Sequence, residues 1–383
     1  MKQRRKDFDR KEAGFTLIEL IIYMGLLGIL LTMVFSTFIP VMQSGSRQWR
    51  IGETKIETDI GLDLLRADLE HAGFGLPWEF PVGVTPAPYS EPALLPDTPN
   101  VPRAVNSQDN SASSMNNSDY LTIRATNVAI NESSQKWGWL GRNAAHGVLI
   151  ETLSDEAFDG TGVDADRVIV IRPAVSPGAF HRLVLNGTAY FTKPTVADLT
   201  PYAPPETPND PNGERYLVYS LGTTDPRRPF NRTDYYINNT NVPAHCAPNT
   251  GVLEKATLNQ GDDNFTTMPI VDCVADFQVV YYLDTDNDGG SDTIANANGL
   301  NGLTAKQIRE QVKSIRCYIL THEGGVDQTY RHPNANINVG DLAEDGVTLQ
   351  AGRAFDLNAT IGATWPNYRW KVYGLAVTPR NLQ

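Results

Sequence analysis

The sequence predicts an α+β protein: one long N-terminal helix, apolar in its first half, packed on an antiparallel β-sheet domain with long loops. Three observations predict it. Residues 20–39 form 20 consecutive positions without a charge. Residues 43–72 contain no proline and repeat apolar residues at helical spacing. Strand-like alternations then recur between Pro/Gly/Asn-rich turns, with no second long amphipathic helix. The chain divides into a basic leader at 1–14, an apolar helix at 15–42, its amphipathic continuation at 43–73, and a β-rich globular domain at 74–383.

Composition bounds the function. The chain has 383 residues and a formal net charge of −12, which argues against broad nucleic-acid binding. Length and a 41% hydrophobic content are ample for a sizeable core. Three cysteines are too few for a disulfide-dense scaffold or a four-thiolate zinc site.

The leader holds six basic and three acidic residues, and Glu19 is the only charge between Phe15 and Met42. As a helix, residues 20–39 extend roughly 30 Å, enough to cross a bilayer core. The basic flank stays cytoplasmic by the positive-inside rule, which sends the C-terminal bulk outward. Three readings compete: a cleaved secretory signal ending near Ser44-Gly45-Ser46, a plain single-pass anchor, and cleavage between Gly14 and Phe15. A simple anchor leaves Glu19 unexplained, because an unpaired carboxylate in an apolar helix is costly. Cleavage after Gly14 makes Phe15 the N-terminus and Glu19 the fifth residue. The new amine and the carboxylate then lie one helical turn apart, and each neutralises a charge in a low-dielectric assembly.

Gly14-Phe15-Thr16-Leu17-Ile18-Glu19 resembles the type IV prepilin processing motif, with glycine, phenylalanine, glutamate and apolar run all in place. That resemblance implies a membrane prepilin peptidase that cuts after Gly14 and N-methylates Phe15. It also implies that the retained apolar helix becomes part of a filament core.

Placed at 100° per residue, the continuation carries two apolar stripes. Trp49, Ile56, Ile60, Leu64 and Ala67 form one; Ile51, Leu62, Leu65, Leu69 and Ala72 form the other on roughly the opposite side. Arg50, Glu57 and Asp68 lie on one polar flank between them. Two stripes imply one face on the protein's own sheet and one on a partner; a helix sandwiched within one domain is the alternative. Pro40 and Gly45 are candidate kinks between the halves, and Gly73 and Gly75 end the helix. Strand-like segments lie at 120–126, 147–151, 167–172, 216–221, 234–238, 275–283, 312–321 and 368–379, and 304–311 reads as a short helix.

Parts of the globular region resemble PilW-type minor pilins, and this makes the expected fold pilin-like. These are Arg66 to Gly75, the run DYYINN with His245-Cys246-Ala247-Pro248 and Gly251-Val252-Leu253 after it, VDCVADFQVVYYLDTD, and the pair 312–320 and 368–382. Residues 76–118 and 174–213 carry no such resemblance.

The sharpest site candidate is Asp284-Thr285-Asp286-Asn287-Asp288-Gly289-Gly290-Ser291-Asp292. D-x-D-x-D-G matches the first six positions of an EF-hand-type calcium loop. Asp284, Asp286, Asp288, the Gly290 carbonyl and Asp292 are the candidate ligands. Ala295 stands where the bidentate glutamate belongs, and no EF helices flank the loop. The alternative is a solvated acidic turn. Two further acidic clusters, 155–166 and Asp262-Asp263, read as solvated loops. In an oxidising compartment the three cysteines make either one disulfide with a buried free thiol or three buried thiols. Cys246 and Cys273, close in sequence, are the first choice of pair. The aromatics Trp78, Trp137, Trp139, Tyr281, Tyr282, Trp365 and Trp370 read as core or sheet-face residues, with an adhesive surface as the alternative.

No nucleophile elbow, HExxH or Walker A motif is present, and no organic cofactor or enzymatic role is expected. The resemblance implies a minor pilin held in the inner membrane with its β domain in the periplasm, later in the pilus. Its partners would be prepilin peptidase, other minor and major pilins, and the inner-membrane assembly platform. It also implies a part in priming filament growth, at the tip or near it. A minor pseudopilin of type II secretion and a pilus-tip adhesin are the alternatives.

Overall fold

The computed structural model describes residues 16–143, 147–174, 181–206 and 214–382. It divides into two units, residues 1–52 and 53–383.

In the first unit the apolar segment is helical from Leu17, and the helix runs without a break to Glu70. Neither Pro40 nor Gly45 interrupts it, contrary to the expected kink. A proline removes one rung of the ladder, and the surrounding helix-forming run carries the rest. Thr32, Ser36 and Thr37 bond their hydroxyls to carbonyls three or four residues back, so their polar atoms are satisfied within the helix. It is the one helix among the described residues long and apolar enough to cross a membrane.

The second unit is built on an antiparallel sheet of eight strands. Across the sheet the order is Val105–Gln108, Tyr120–Ala125, Asn231–Asn238, Gly251–Leu258, Phe265–Leu283, Val312–Glu323 and Arg369–Val377. Thr293–Asn296 pairs with the far end of the Phe265–Leu283 strand. The end of the long helix lies on one face of this sheet. Leu65, Leu69 and Ala72 are fully buried in a core with Leu121, Ile123, Phe277, Val279 and Ile319. Burying each such side chain contributes about 1.5–3 kcal/mol, and this is why the helix seats by its aliphatic stripe. Gly61 marks the closest approach: a Cβ there would run into the Ile270 carbonyl.

The sequence anticipated a single sheet with long insertions; one insertion is itself a sheet. Between the adjacent strands Tyr120–Ala125 and Asn231–Asn238, the chain leaves to form six strands. Five run Gly147–Thr152, Trp137–Asn143, Tyr216–Gly222, Arg167–Arg172 and Arg182–Leu183, and Phe191–Thr192 pairs with Arg167–Arg172. A second excursion forms the hairpin Asn336–Leu342 and Leu349–Asp356. Short edge strands such as Val105–Gln108 span too few residues to show a period, and its buried Asn106 and Ser107 are polar, so alternation of apolar residues does not mark it. The short helix is Ala305–Gln311, closed by a capping box between Thr304 and Gln307.

The helix exit joins the two sheets. Gly73 and Gly75 take φ of +85° and +67°, where a side chain would be strained. The turn between them aims Phe74 edge-on at Tyr219 and Trp137, with ring centroids 5.2 and 6.1 Å away. Glu70 is held from the other end of the chain, its carboxylate 2.6 Å from the Arg380 guanidinium.

Candidate functional site

The site divides into the N-terminal motif, the seat of the helix on the sheet, and the acidic loop. Gly14 and Phe15 lie outside the described residues. Glu19 lies inside them, at the third position of the helix. Its carboxylate accepts from the Thr16 N–H and hydroxyl at 3.4 Å each, and its own N–H donates to Thr16 Oγ1 at 3.3 Å. This is a capping box, T-x-x-E, whose spacing Thr16-Leu17-Ile18-Glu19 displays in the sequence. It turns the carboxylate back toward the helix N-terminus.

In the first stripe Ile56 and Ile60 are exposed, at 62% and 66%. Leu65 and Leu69, on the other side, are fully buried. Leu64, of the first stripe, is half-buried against the core. The open part of that stripe within the second unit is therefore Ile56 and Ile60, and the sandwiched alternative fails there. In the first unit Trp49 is also exposed.

Asp68 lies on the polar flank between the two stripes, yet it does not face solvent. It is buried, and its Oδ2 lies 2.5 Å from the Tyr235 hydroxyl and 2.5 Å from Lys255 Nζ. Burial pushes the Asp68 carboxyl up, and Lys255 and Tyr235 pull it back. Burial and the adjacent Asp68 both push the Tyr235 phenol well above its ordinary value. A helical wheel places Asp68 at the edge of the buried stripe; only the strand positions of Tyr235 and Lys255 turn that edge inward.

The segment 76–118 conceals a second buried network. Glu91 has no exposed side-chain surface and lies 2.8 Å from Arg124 and 3.1 Å from Arg232. Arg124 also meets Asp97 at 3.0 Å, and Arg232 meets Asp234 at 2.8 Å. Although burial opposes ionisation, the two guanidinium groups hold the Glu91 carboxyl below its usual range. No motif in the sequence marks these partners, which are separated by up to 141 positions.

In the acidic loop, Asp284, Asp286 and Asp292 bring carboxylate oxygens within 4.8 Å of one another. Asp288 stands outside this group: its Oδ1 accepts the Gly290 N–H at 2.8 Å. Asp284 also meets Lys313 Nζ at 3.2 Å. Burial opposes its charge, yet Lys313 and the Gly289 N–H hold Asp284 below the ordinary carboxylate range. Hydrogen bonds from Thr293 and Thr285 lower Asp292 to about 2. The donor set suits a hard divalent cation in oxygen chemistry but supplies three carboxylates where four were expected.

Cys246 and Cys273 are joined by a disulfide, and Cys317 is a buried free thiol. The bond also occupies the sulfurs of the His245-Cys246-Cys273 cluster, so that cluster offers no thiolate to a metal. His322, on the strand that pairs with the one carrying Cys273, accepts the Ala247 N–H at 2.8 Å and packs on Tyr368 and Trp370.

The other two acidic clusters are not simply solvated. Asp166 is buried and bonds Ser133, Lys136 (3.2 Å) and the Asp159 N–H (2.7 Å). Asp263 pairs with Arg227 at 2.8 Å and with the buried Arg228. In both cases charge partners distant in sequence convert an acidic turn into an anchor. Of the aromatics, Tyr281 and Trp370 are buried, Trp137, Trp139 and Trp365 pack against core clusters, and Trp78 stacks on His181 at 4.0 Å.

Comparison with known families now bears on both ends of the chain. Residues 9–35 match the prokaryotic N-terminal methylation motif, and residues 234–381 match Type IV Pilus-assembly protein W. The chain carries a prepilin methylation motif and a PilW domain. Both families are structural rather than enzymatic, and the motif implies peptidase processing and assembly with other pilins. No curated protein and no solved structure matches the chain. The PilW match starts at Asp234 and takes in Tyr235 and Lys255, the two groups that grip Asp68. It also takes in both disulfide cysteines and the acidic loop. An apolar N-terminal helix with a prepilin motif accords with inner-membrane anchoring followed by entry into a pilus.

Proposed function

We propose that this protein is a minor pilin of a type IV pilus that helps to initiate the filament. The observation that carries the reading is the helix with one covered and one open apolar face. A pilin helix needs its own sheet on one side and neighbouring helices on the other, and Ile56 and Ile60 are large, apolar and exposed on the open side. In this reading prepilin peptidase cuts between Gly14 and Phe15 and methylates Phe15. Glu19 pairs with an N-terminal amine in the assembly. The apolar helix spans the inner membrane with the basic leader on the cytoplasmic side, and the β domain occupies the periplasm beside the assembly platform. A head as large as residues 53–383 would crowd a tightly packed filament of identical subunits, which favours a minor subunit placed at or near the tip.

The loop at 284–292 is part of the proposal as a calcium site. Asp284, Asp286 and Asp292 would hold the ion, which would add positive charge to a group in which Lys313 pairs with Asp284. Binding there stabilises the fold and performs no chemistry.

The test is N-terminal mass spectrometry of the protein from its host, combined with deletion of its gene. The expected native chain begins at N-methylated Phe15, and deleted cells lose surface pili while type II secretion continues. Native molecules that begin at Met1, or that lack the apolar helix, would overturn the assignment. Loss of secretion with pili intact would move the protein to the secretion system.

A further inference from the structure

The Cys246–Cys273 disulfide ties the loop at 239–250 to the strand Phe265–Leu283. Cys273 sits at a bulge in that strand, where its pairing with Gly251–Leu258 shifts register, and it holds a φ of +58°. That conformation strains a residue with a Cβ, and a bulge re-aims the side chain it carries. The bond to Cys246 accounts for the aim of Cys273. It does not account for His245. One ring nitrogen of His245 lies within 4.8 Å of both sulfurs. Its Nε2 is buried and has no hydrogen-bond partner among the described residues. Neither assembly nor the acidic loop makes use of this ring.

An imidazole nitrogen and two sulfurs form a metal donor set once the sulfurs are thiolates. Burial suits this use. A structural metal draws its ligands from inside the fold, and they need nearness to one another rather than open surface. Thiolate and imidazole select a borderline-soft cation such as zinc over calcium or magnesium, which take oxygen. Two thiolates balance the charge of a divalent cation. Asp272 and Glu57, whose carboxylates lie near enough to His245 to feel its charge, favour a cation there further. The geometry points to a second staple at the same place: when a dithiol reductant opens the disulfide, Cys246, Cys273 and His245 hold a zinc-class cation that keeps the loop on the sheet.

Cys246 is partly exposed and Cys273 only 1% exposed, so the dithiol attacks the Cys246 sulfur and Cys273 leaves as a thiolate. The second thiol of the reductant then attacks the mixed disulfide, which frees Cys246 and closes the reductant to its own disulfide. Two electrons have passed to the cysteine pair. Coordination takes both cysteines as thiolates, and their two protons go to solvent. This inference concerns the head alone and does not rest on the minor-pilin reading.

The test uses the full chain in detergent, reduced with a water-soluble phosphine, freed of it and kept without oxygen. Cobalt(II) stands in for zinc, because thiolate ligands give it a charge-transfer absorption that oxygen ligands do not. The reduced parent should take up one equivalent with that absorption, and zinc should displace it. The oxidised parent should show none. His245→Ala keeps both cysteines and should weaken binding at least about tenfold. Cys317→Ser should bind as the parent does, since that thiol lies outside the cluster. Where reduction alone loosens the fold, zinc should raise the thermal midpoint of the reduced parent and leave that of reduced His245→Ala nearly unchanged. The inference is overturned if the reduced parent shows no thiolate absorption, if His245→Ala binds as tightly as the parent, if Cys317→Ser abolishes binding, or if zinc leaves the reduced parent's midpoint where it was.

Discussion

Tyr235 donates its hydroxyl to the Asp68 carboxylate at 2.5 Å, linking the last turns of the long helix to the centre of the main sheet. Lys255, on the neighbouring strand, reaches the same oxygen. Apolar packing pulls the helix onto the sheet without fixing its rotation or its position along its axis. A buried, directional contact fixes both.

Asp68→Ala should therefore destabilise the head by about 3–5 kcal/mol, because it strands the Lys255 ammonium in the core. The double variant Asp68→Leu with Lys255→Met removes both charges and should recover much of that loss. Thermal and denaturant unfolding of the two variants checks this. Equal stability of the double variant and Asp68→Ala would show that packing, rather than the stranded charge, sets the loss.

Stability should fall on mild acidification through His322. Burial lowers its pKa from 6.5 to about 3, and the nearby His245 adds to the effect. Between those values the unfolded chain binds a proton that the folded chain refuses, so stability drops as pH falls. The slope reaches about 1.4 kcal/mol per pH unit within that window. Above the ordinary histidine pKa the contribution is constant. His322→Gln keeps an acceptor for the Ala247 N–H and should flatten the slope between about pH 5 and 7. Unfolding midpoints of parent and variant across that range give the comparison, and parallel curves would remove His322 as the cause.

Calcium at a hundredfold excess over its Kd should stabilise the head by about 2.7 kcal/mol if the 284–292 loop binds it. Asp286→Ala should abolish the rise in thermal midpoint. Asp288→Ala should keep most of it, because that carboxylate lies outside the converging group. Lys313→Met should enlarge the rise by freeing Asp284 from its ammonium. A parent protein that melts at the same temperature with and without calcium has no such site.

The open stripe separates folding from assembly. Ile60→Asp alters a side chain that is 66% exposed, so the isolated protein should keep its stability within about 0.5 kcal/mol. Incorporation into pili should be lost, as should incorporation of Glu19→Ala. Normal piliation by cells carrying Ile60→Asp would mean that this face has no partner.

Much of this was legible from periodicity. The two stripes and the eight strand-like segments follow from spacings of two and about four residues, and the exit at Gly73 and Gly75 from glycine's place at helix ends; local sequence displays both directly. The capping box at Thr16 and Glu19 is equally local, a T-x-x-E spacing at the head of the apolar run. The Glu91–Arg124–Arg232 network and the Asp166 and Asp263 anchors were not legible at all. Each unites residues from separate strands and loops, and an acidic residue looks the same in sequence whether an arginine lies beside it in space or not.

The amino-acid order alone established the membrane-length helix, the processing motif ahead of it and the existence of two apolar faces, because hydropathy and spacing are properties of neighbours in the chain. The choice of which face is covered, the inward turn of Asp68, and the gathering of the inserted strands, from Trp137–Asn143 to Tyr216–Gly222, into a sheet of their own came from packing between distant segments. Burial is a property of the assembled core: it depends on which surfaces meet, and no single stretch of sequence holds both.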